Sequence, residues 1–120
     1  MILVDTNVWI DFFKNRQKSI QLVTLLAEKR VVSHPWIVGE MSVGNLGSFR
    51  QEILSSLRVL PQVEVYAPDE IFTFIEKEKL FGKGLSFVDV QLLYASIKSK
   101  CSLWTHDVCL QKAAQYFGVE

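Results

Sequence analysis

Met1-Ile2-Leu3-Val4-Asp5-Thr6-Asn7 opens the chain with an apolar run that stops abruptly at an acid. An uninterrupted run without polar alternation reads as a strand buried on both faces, the kind found in parallel sheets covered by helices. Asp5 then falls at the carboxyl end of that strand, the edge at which open α/β sheets collect ligands. Asn7 is placed to cap a short helix through about Lys14, with Val8, Trp9, Phe12 and Phe13 on its apolar side.

Outward from this start, strands and helices alternate. Ile20, Val23, Leu26 and Ala27 recur at helical spacing within 17–30, and Arg30 to Ser33 resumes a strand. Pro35 suits the first turn of a third helix, which would carry Glu40. An amphipathic segment follows over 48–60, Pro61 stops it, and Val63-Glu64-Val65-Tyr66 has a strand pattern. Pro68-Asp69-Glu70 opens a helix that Gly82 and Gly84 should close. Ser86 begins another, to about Lys100, then Ser102 to Trp104 reads as a strand and Val108 to Phe117 as a last helix. The pattern predicts an α/β sandwich with a mostly parallel sheet of four strands, in a single domain over residues 1–120.

Bulk properties narrow the function. Hydrophobic residues make up 49% of 120, enough for one core and too few residues for two. Lys+Arg and Asp+Glu both number 13, so nucleic acid cannot be held by overall charge and needs a local patch or a metal. Lys14, Arg16, Lys18, Lys29, Arg30, Arg50 and Arg58 all fall in the first half, as a scattered solvated surface or a basic groove. Cys101 and Cys109 lack partners at zinc-site spacing and suit a reducing cytoplasm. No apolar run approaches membrane-spanning length, and no leader-like segment stands at the start.

Four acids stand out. Asp5 ends the first strand, and Glu40 is the sole charge in Trp36-Ile37-Val38-Gly39-Glu40-Met41-Ser42-Val43, where a carboxylate among apolar neighbours needs a reason such as metal coordination. Asp89 competes with a capping-box role in Ser86-x-x-Asp89, and Asp107 with capping of the final helix. Two histidines offer no acid–base pair for metal-free RNA cleavage, since His34 precedes Pro35 as a structural residue and His106 adjoins Asp107. Trp9, Phe12, Phe13, Trp36 and Phe49 are expected in the core, with base stacking or a partner helix as the other reading. A haloacid-dehalogenase phosphatase would need an acid where Asn7 stands, and a receiver domain would need a central Asp, which residues 41–68 lack.

Taken in order, Val4-Asp5-Thr6-Asn7-Val8-Trp9-Ile10, Gly39-Glu40-Met41, Leu85-Ser86-Phe87-Val88-Asp89 and Leu103-Trp104-Thr105-His106-Asp107 resemble the PIN domain, and more narrowly the VapC-type toxins of bacterial toxin–antitoxin pairs. The resemblance implies a three-layer α/β/α sandwich, an endoribonuclease acting on RNA, Mg²⁺ or Mn²⁺ as cofactor and a VapB-like antitoxin partner; separately, the surplus of apolar residues on so short a chain points to a homodimer and an antitoxin groove. It maps the metal-binding acids onto Asp5, Glu40, Asp89 and Asp107, with Thr105 as the hydroxyl residue accompanying the last acid and Thr6 as a second hydroxyl candidate. This chain departs where many relatives carry a basic residue, at His106, and a further acid near Cys109. The expected chemistry is attack of an activated water on phosphorus, for which the resemblance implies a 5′-phosphate product; two ions, if both bind, would lie about 3.5–4 Å apart. The alternative is a PIN-like module that binds RNA or protein without cutting.

Overall fold

A computed structural model describes residues 1–15 and 19–120. Arg16, Lys18 and the start of the expected 17–30 helix lie outside the described residues. The element order is β1 (Ile2–Val4), α1 (Thr6–Lys14), α2 (Ile20–Ala27), β2 (Val31–Val32), α3 (Pro35–Val43), a 3₁₀ turn (Gly47–Phe49), α4 (Arg50–Arg58), α5 (Pro68–Glu78), α6 (Phe87–Ser99), β3 (Ser102–Trp104) and α7 (Val108–Tyr116).

Both pairings in the sheet are parallel, in the order β2-β1-β3, with Leu3 opposite Val32 and Leu103, and Val4 opposite Trp104. Leu3 and Val4 point to opposite faces yet neither is solvent-accessible, so helices cover the sheet on both sides and the architecture is a three-layer α/β/α sandwich. The chain enters through β1 at the centre of the sheet. Hence the first acid after β1 emerges at the middle of the carboxyl edge, beside the end of β3.

Several local expectations change. Residues 63–66 form no strand among the described residues; only an isolated parallel bridge joins Ser33 to Gln62, through Ser33 N–H on the Pro61 carbonyl at 2.8 Å and Val63 N–H on the Ser33 carbonyl at 2.8 Å. With Pro61 behind and Pro68 ahead the segment continues no ladder, and Tyr66 instead packs edge-on against Tyr94 of α6. The cap of α1 is Asp5 rather than Asn7, which lies inside the first turn. Helix α2 buries Leu22 and Leu25, while Ile20 is 83% exposed and Val23 is also exposed, so the core face is rotated from the expected one. Helix α5 ends before the glycines, on Lys79 in the left-handed region (φ 54°), with Gly82 and Gly84 in the turn beyond. Trp9 is buried as expected, but Trp36 and Phe49 are exposed at 38% and 70%. Arg50 is occupied locally, donating to the Gly44 and Ser42 carbonyls. Among the described residues no helix is long and apolar enough to cross a membrane.

His34 caps α3, its Nδ1 accepting from Trp36 N–H at 3.0 Å, and the side chain is wholly enclosed, with Nε2 lacking a partner. Burial pushes its pKa down from 6.5 to about 4. Between those values the unfolded chain binds the extra proton, so stability falls as pH drops through that window, by up to roughly 3 kcal/mol. Urea unfolding between pH 7 and pH 4 should show this loss, and His34→Asn, which retains a capping oxygen without a titrating ring, should flatten it.

Candidate active site

Asp5 sits where β1 becomes α1. Its backbone N–H donates to the Trp104 carbonyl at 2.9 Å, extending the β1–β3 pairing by one residue. The side chain is 5% exposed, and both oxygens are engaged: Oδ1 accepts from Thr6 N–H at 2.7 Å, and Oδ2 from the Thr105 hydroxyl at 2.7 Å and, more weakly, from Asn7 Nδ2 at 3.4 Å. Burial nevertheless raises its pKa, the Asp89 and Glu40 charges add to the rise, and the bonds from Thr105 and Thr6 oppose it.

Thr105 is buried at the end of β3. Besides donating to Asp5, its hydroxyl accepts from Asn7 Nδ2 at 3.2 Å and from Asp107 N–H at 3.0 Å. Asn7 completes the bridge, its Oδ1 accepting from His106 N–H at 3.0 Å. Thr6, on the first turn of α1, donates its hydroxyl to Glu40 Oε1 at 2.7 Å and so ties α1 to α3. Glu40 itself is exposed, so solvent and not apolar burial surrounds it.

The two late acids take their capping roles. Asp89 Oδ2 accepts from Ser86 N–H at 2.9 Å while Ser86 Oγ accepts from Asp89 N–H at 3.0 Å, a complete capping box. Asp107 caps α7, its Oδ1 accepting from Leu110 N–H at 2.8 Å. Asp5 caps α1 as well, the local role the sequence assigned to Asn7.

Glu40 and Asp89 therefore stand close enough to Asp5 for their charges to act on it, whereas Asp107 is not among the charges that do and connects through the Thr105 hydroxyl. Among the described residues no three His, Cys, Asp or Glu side chains converge on one point as metal ligands would. As placed, these carboxylates spend oxygens on hydroxyl and backbone donors. From the sequence, Asn7 reads as a cap and, with Thr6, as part of a polar run at the strand end able to position water or metal; its bridge to Thr105 and the His106 backbone is what the sequence does not show. Its polarity two residues after a strand-end acid was the available signal, because a first-turn side chain can reach back to the strand edge.

Asp5→Asn should separate charge from hydrogen bonding at this position, since Asn retains a capping oxygen. A raised folded pKa means that the native state binds the proton more readily, so wild-type stability declines as pH rises from about the ordinary 3.8 through the raised value. Thermal unfolding should show Asp5→Asn more stable than wild type at pH 7 in chelator, with the gap closing on acidification.

No family model matches the chain. Two curated proteins do match it, each named Ribonuclease VapC32, from the CDC 1551 / Oshkosh and ATCC 25618 / H37Rv strains of Mycobacterium tuberculosis; each is 35% identical over 120 residues, covering 99% of this chain and 94% of the relative. With that identity over nearly the whole of both chains, and with the strand-end acids in a three-layer α/β/α sandwich, this protein belongs to the VapC family of PIN-domain ribonucleases.

Proposed function

We propose that the chain is a metal-dependent endoribonuclease that hydrolyses RNA phosphodiester bonds at the Asp5 edge of the sheet, using Mg²⁺ or Mn²⁺, and that it is the toxin of a pair with a VapB-like antitoxin. The observation that carries the metal dependence is the placement of Asp5: a buried carboxylate at the sheet edge, with Glu40 tied to the adjoining helix turn through the Thr6 hydroxyl, is a group whose charge calls for a cation. The rise in its pKa caused by burial and by the Asp89 and Glu40 charges is in keeping with this. The donor set is all oxygen, which suits a hard divalent ion. Asp5, Glu40, Asp89 and Asp107 would hold it; when bound, such an ion supplies charge neutralisation at the phosphate and a more acidic water.

The chain's own residues do the rest. Thr105 and the Thr6 N–H orient the Asp5 carboxylate, so its geometry is set before substrate arrives. The Thr6 hydroxyl holds Glu40 from α3 toward the same edge. Ser86 fixes Asp89, and Thr105 fixes the backbone at Asp107. Without a cation this concentration of carboxylates repels RNA, which speaks against a module that only binds.

A homodimer accompanies this reading. Its support is an exposed aromatic face in which Phe87 packs against both Trp36 at 6.2 Å and Phe72 at 5.7 Å between ring centres, near the exposed Val43. Cys101 and Cys109, both free thiols, accord with a cytoplasmic setting.

Incubation with labelled single-stranded RNA should give cleavage in Mg²⁺, none in chelator, and a loss of at least about 100-fold in Asp5→Asn, the scale of removing a positioned catalytic group. Tight metal-free RNA binding by wild type with no cutting in any divalent ion would make the chain a binding module instead. In a bacterium lacking the antitoxin, expression should arrest growth and Asp89→Ala should restore it; colony counts decide this, and equal growth of both strains would remove the toxin role.

A further inference from the structure

A cavity of about 590 Å³ opens beside the acids, between α1, the start of α2 and the end of β3. That volume lies within the roughly 300–1,000 Å³ of small-ligand sites. Its floor is apolar, including Val8, Phe12 and Trp104, and its rim carries Lys14, His106 and the exposed acid Asp11. His106 does not swing freely: its Nδ1 lies 2.8 Å from Asp11 Oδ2, while its backbone N–H is held by Asn7. Nε2 has no hydrogen-bond partner among the described residues, and Lys14 forms no ion pair there.

We propose that this cavity is the subsite for the nucleotide flanking the scissile phosphate, with its base over the Val8 and Trp104 floor, its phosphate on Lys14 and its ribose hydroxyl donating to His106 Nε2. The proposal rests on the ribonuclease reading and deepens it.

Three features lead to a nucleotide. The first is continuity: Asn7 bonds Asp5, Thr105 and the backbone of His106, so the rim of the cavity is one residue from the acid-bearing edge. The second is composition, since an apolar floor that includes Trp104, with a lysine on its rim, is how single strands are held, by stacking and by phosphate contact. The third is charge placement. In a chain with no net charge, Lys14 puts a cationic donor near the acid-bearing edge, where a phosphate chain must be drawn in against repulsion. Asp11 acts as a positioning residue, holding Nδ1 so that Nε2 is the nitrogen left for the ligand.

The test uses the full chain and a fluorescein-labelled single-stranded RNA, by anisotropy in chelator and by cleavage in Mg²⁺. Lys14→Gln should weaken binding about tenfold and lower the salt dependence by about one phosphate contact. His106→Ala and Asp11→Ala should also weaken binding, and Asp11→Asn should recover it, because its Oδ1 still accepts from Nδ1–H. In Mg²⁺ these variants should raise KM more than they lower kcat, while Lys112→Gln on α7 behaves as wild type. Unchanged Kd, salt slope and KM in the Lys14 and His106 variants would overturn the subsite, as would a loss confined to affinity for the antitoxin protein. If wild type never cuts but the binding pattern holds, the nuclease reading fails and the cavity remains a nucleotide-binding site without a scissile phosphate beside it; cleavage with unaltered KM keeps the nuclease and removes the subsite.

Discussion

The Thr105 hydroxyl donates to Asp5 across 100 positions of sequence, at a point where neither residue can turn to water. A threonine hydroxyl offers one donor and two acceptor sites, and here all are taken, by Asp5, by Asn7 and by the backbone of Asp107. That saturation joins the ends of β1 and β3 and the starts of α1 and α7 in one buried junction. An unpaired carboxylate in the same place would be costly to bury, so the junction is what allows an acid to stand at the centre of the sheet edge.

Capping and chemistry are not rival explanations for these acids. Asp5, Asp89 and Asp107 each sit at a helix N-terminus, of α1, α6 and α7 respectively. The free N–H groups and positive dipole end at each terminus favour a negative charge by about 0.3–1 kcal/mol, which partly offsets the mutual repulsion of the cluster. Glu40 is the exception. It lies within α3, and its link to the others is the Thr6 hydroxyl, on the first turn of the helix that Asp5 caps. The edge of the sheet thus assembles negative charge by using helix starts as the support, and Lys14 stands on the rim of the cavity that adjoins it through His106.

Where reading the residues succeeded, the determining forces were short-range. The apolar runs of β1 and β3, the Ser86–Asp89 capping box and the Asp107 cap depend on a few neighbouring residues, and each was legible. Residues 63–66 had the alternation of a strand, yet a strand exists only with a partner along its length, and among the described residues one bridge at Gln62 is all that formed. Helix α2 shows the same limit: its periodicity announced a helix, while the choice of Leu22 and Leu25 over Ile20 and Val23 for the core was made by the elements it packs against.

By itself, the sequence determined that a buried strand would end in Asp5, that acids would begin two late helices, and that the segments carrying them resemble one family. Only the tertiary structure decided which of those acids share a field. The register that sets Val4 opposite Trp104 brings Asp5 to Thr105, and the packing of α1 on α3 brings Thr6 to Glu40. Neither contact leaves a local trace, because closing loops of such length is governed by the whole core, whereas capping and strand formation are governed by the residue next door.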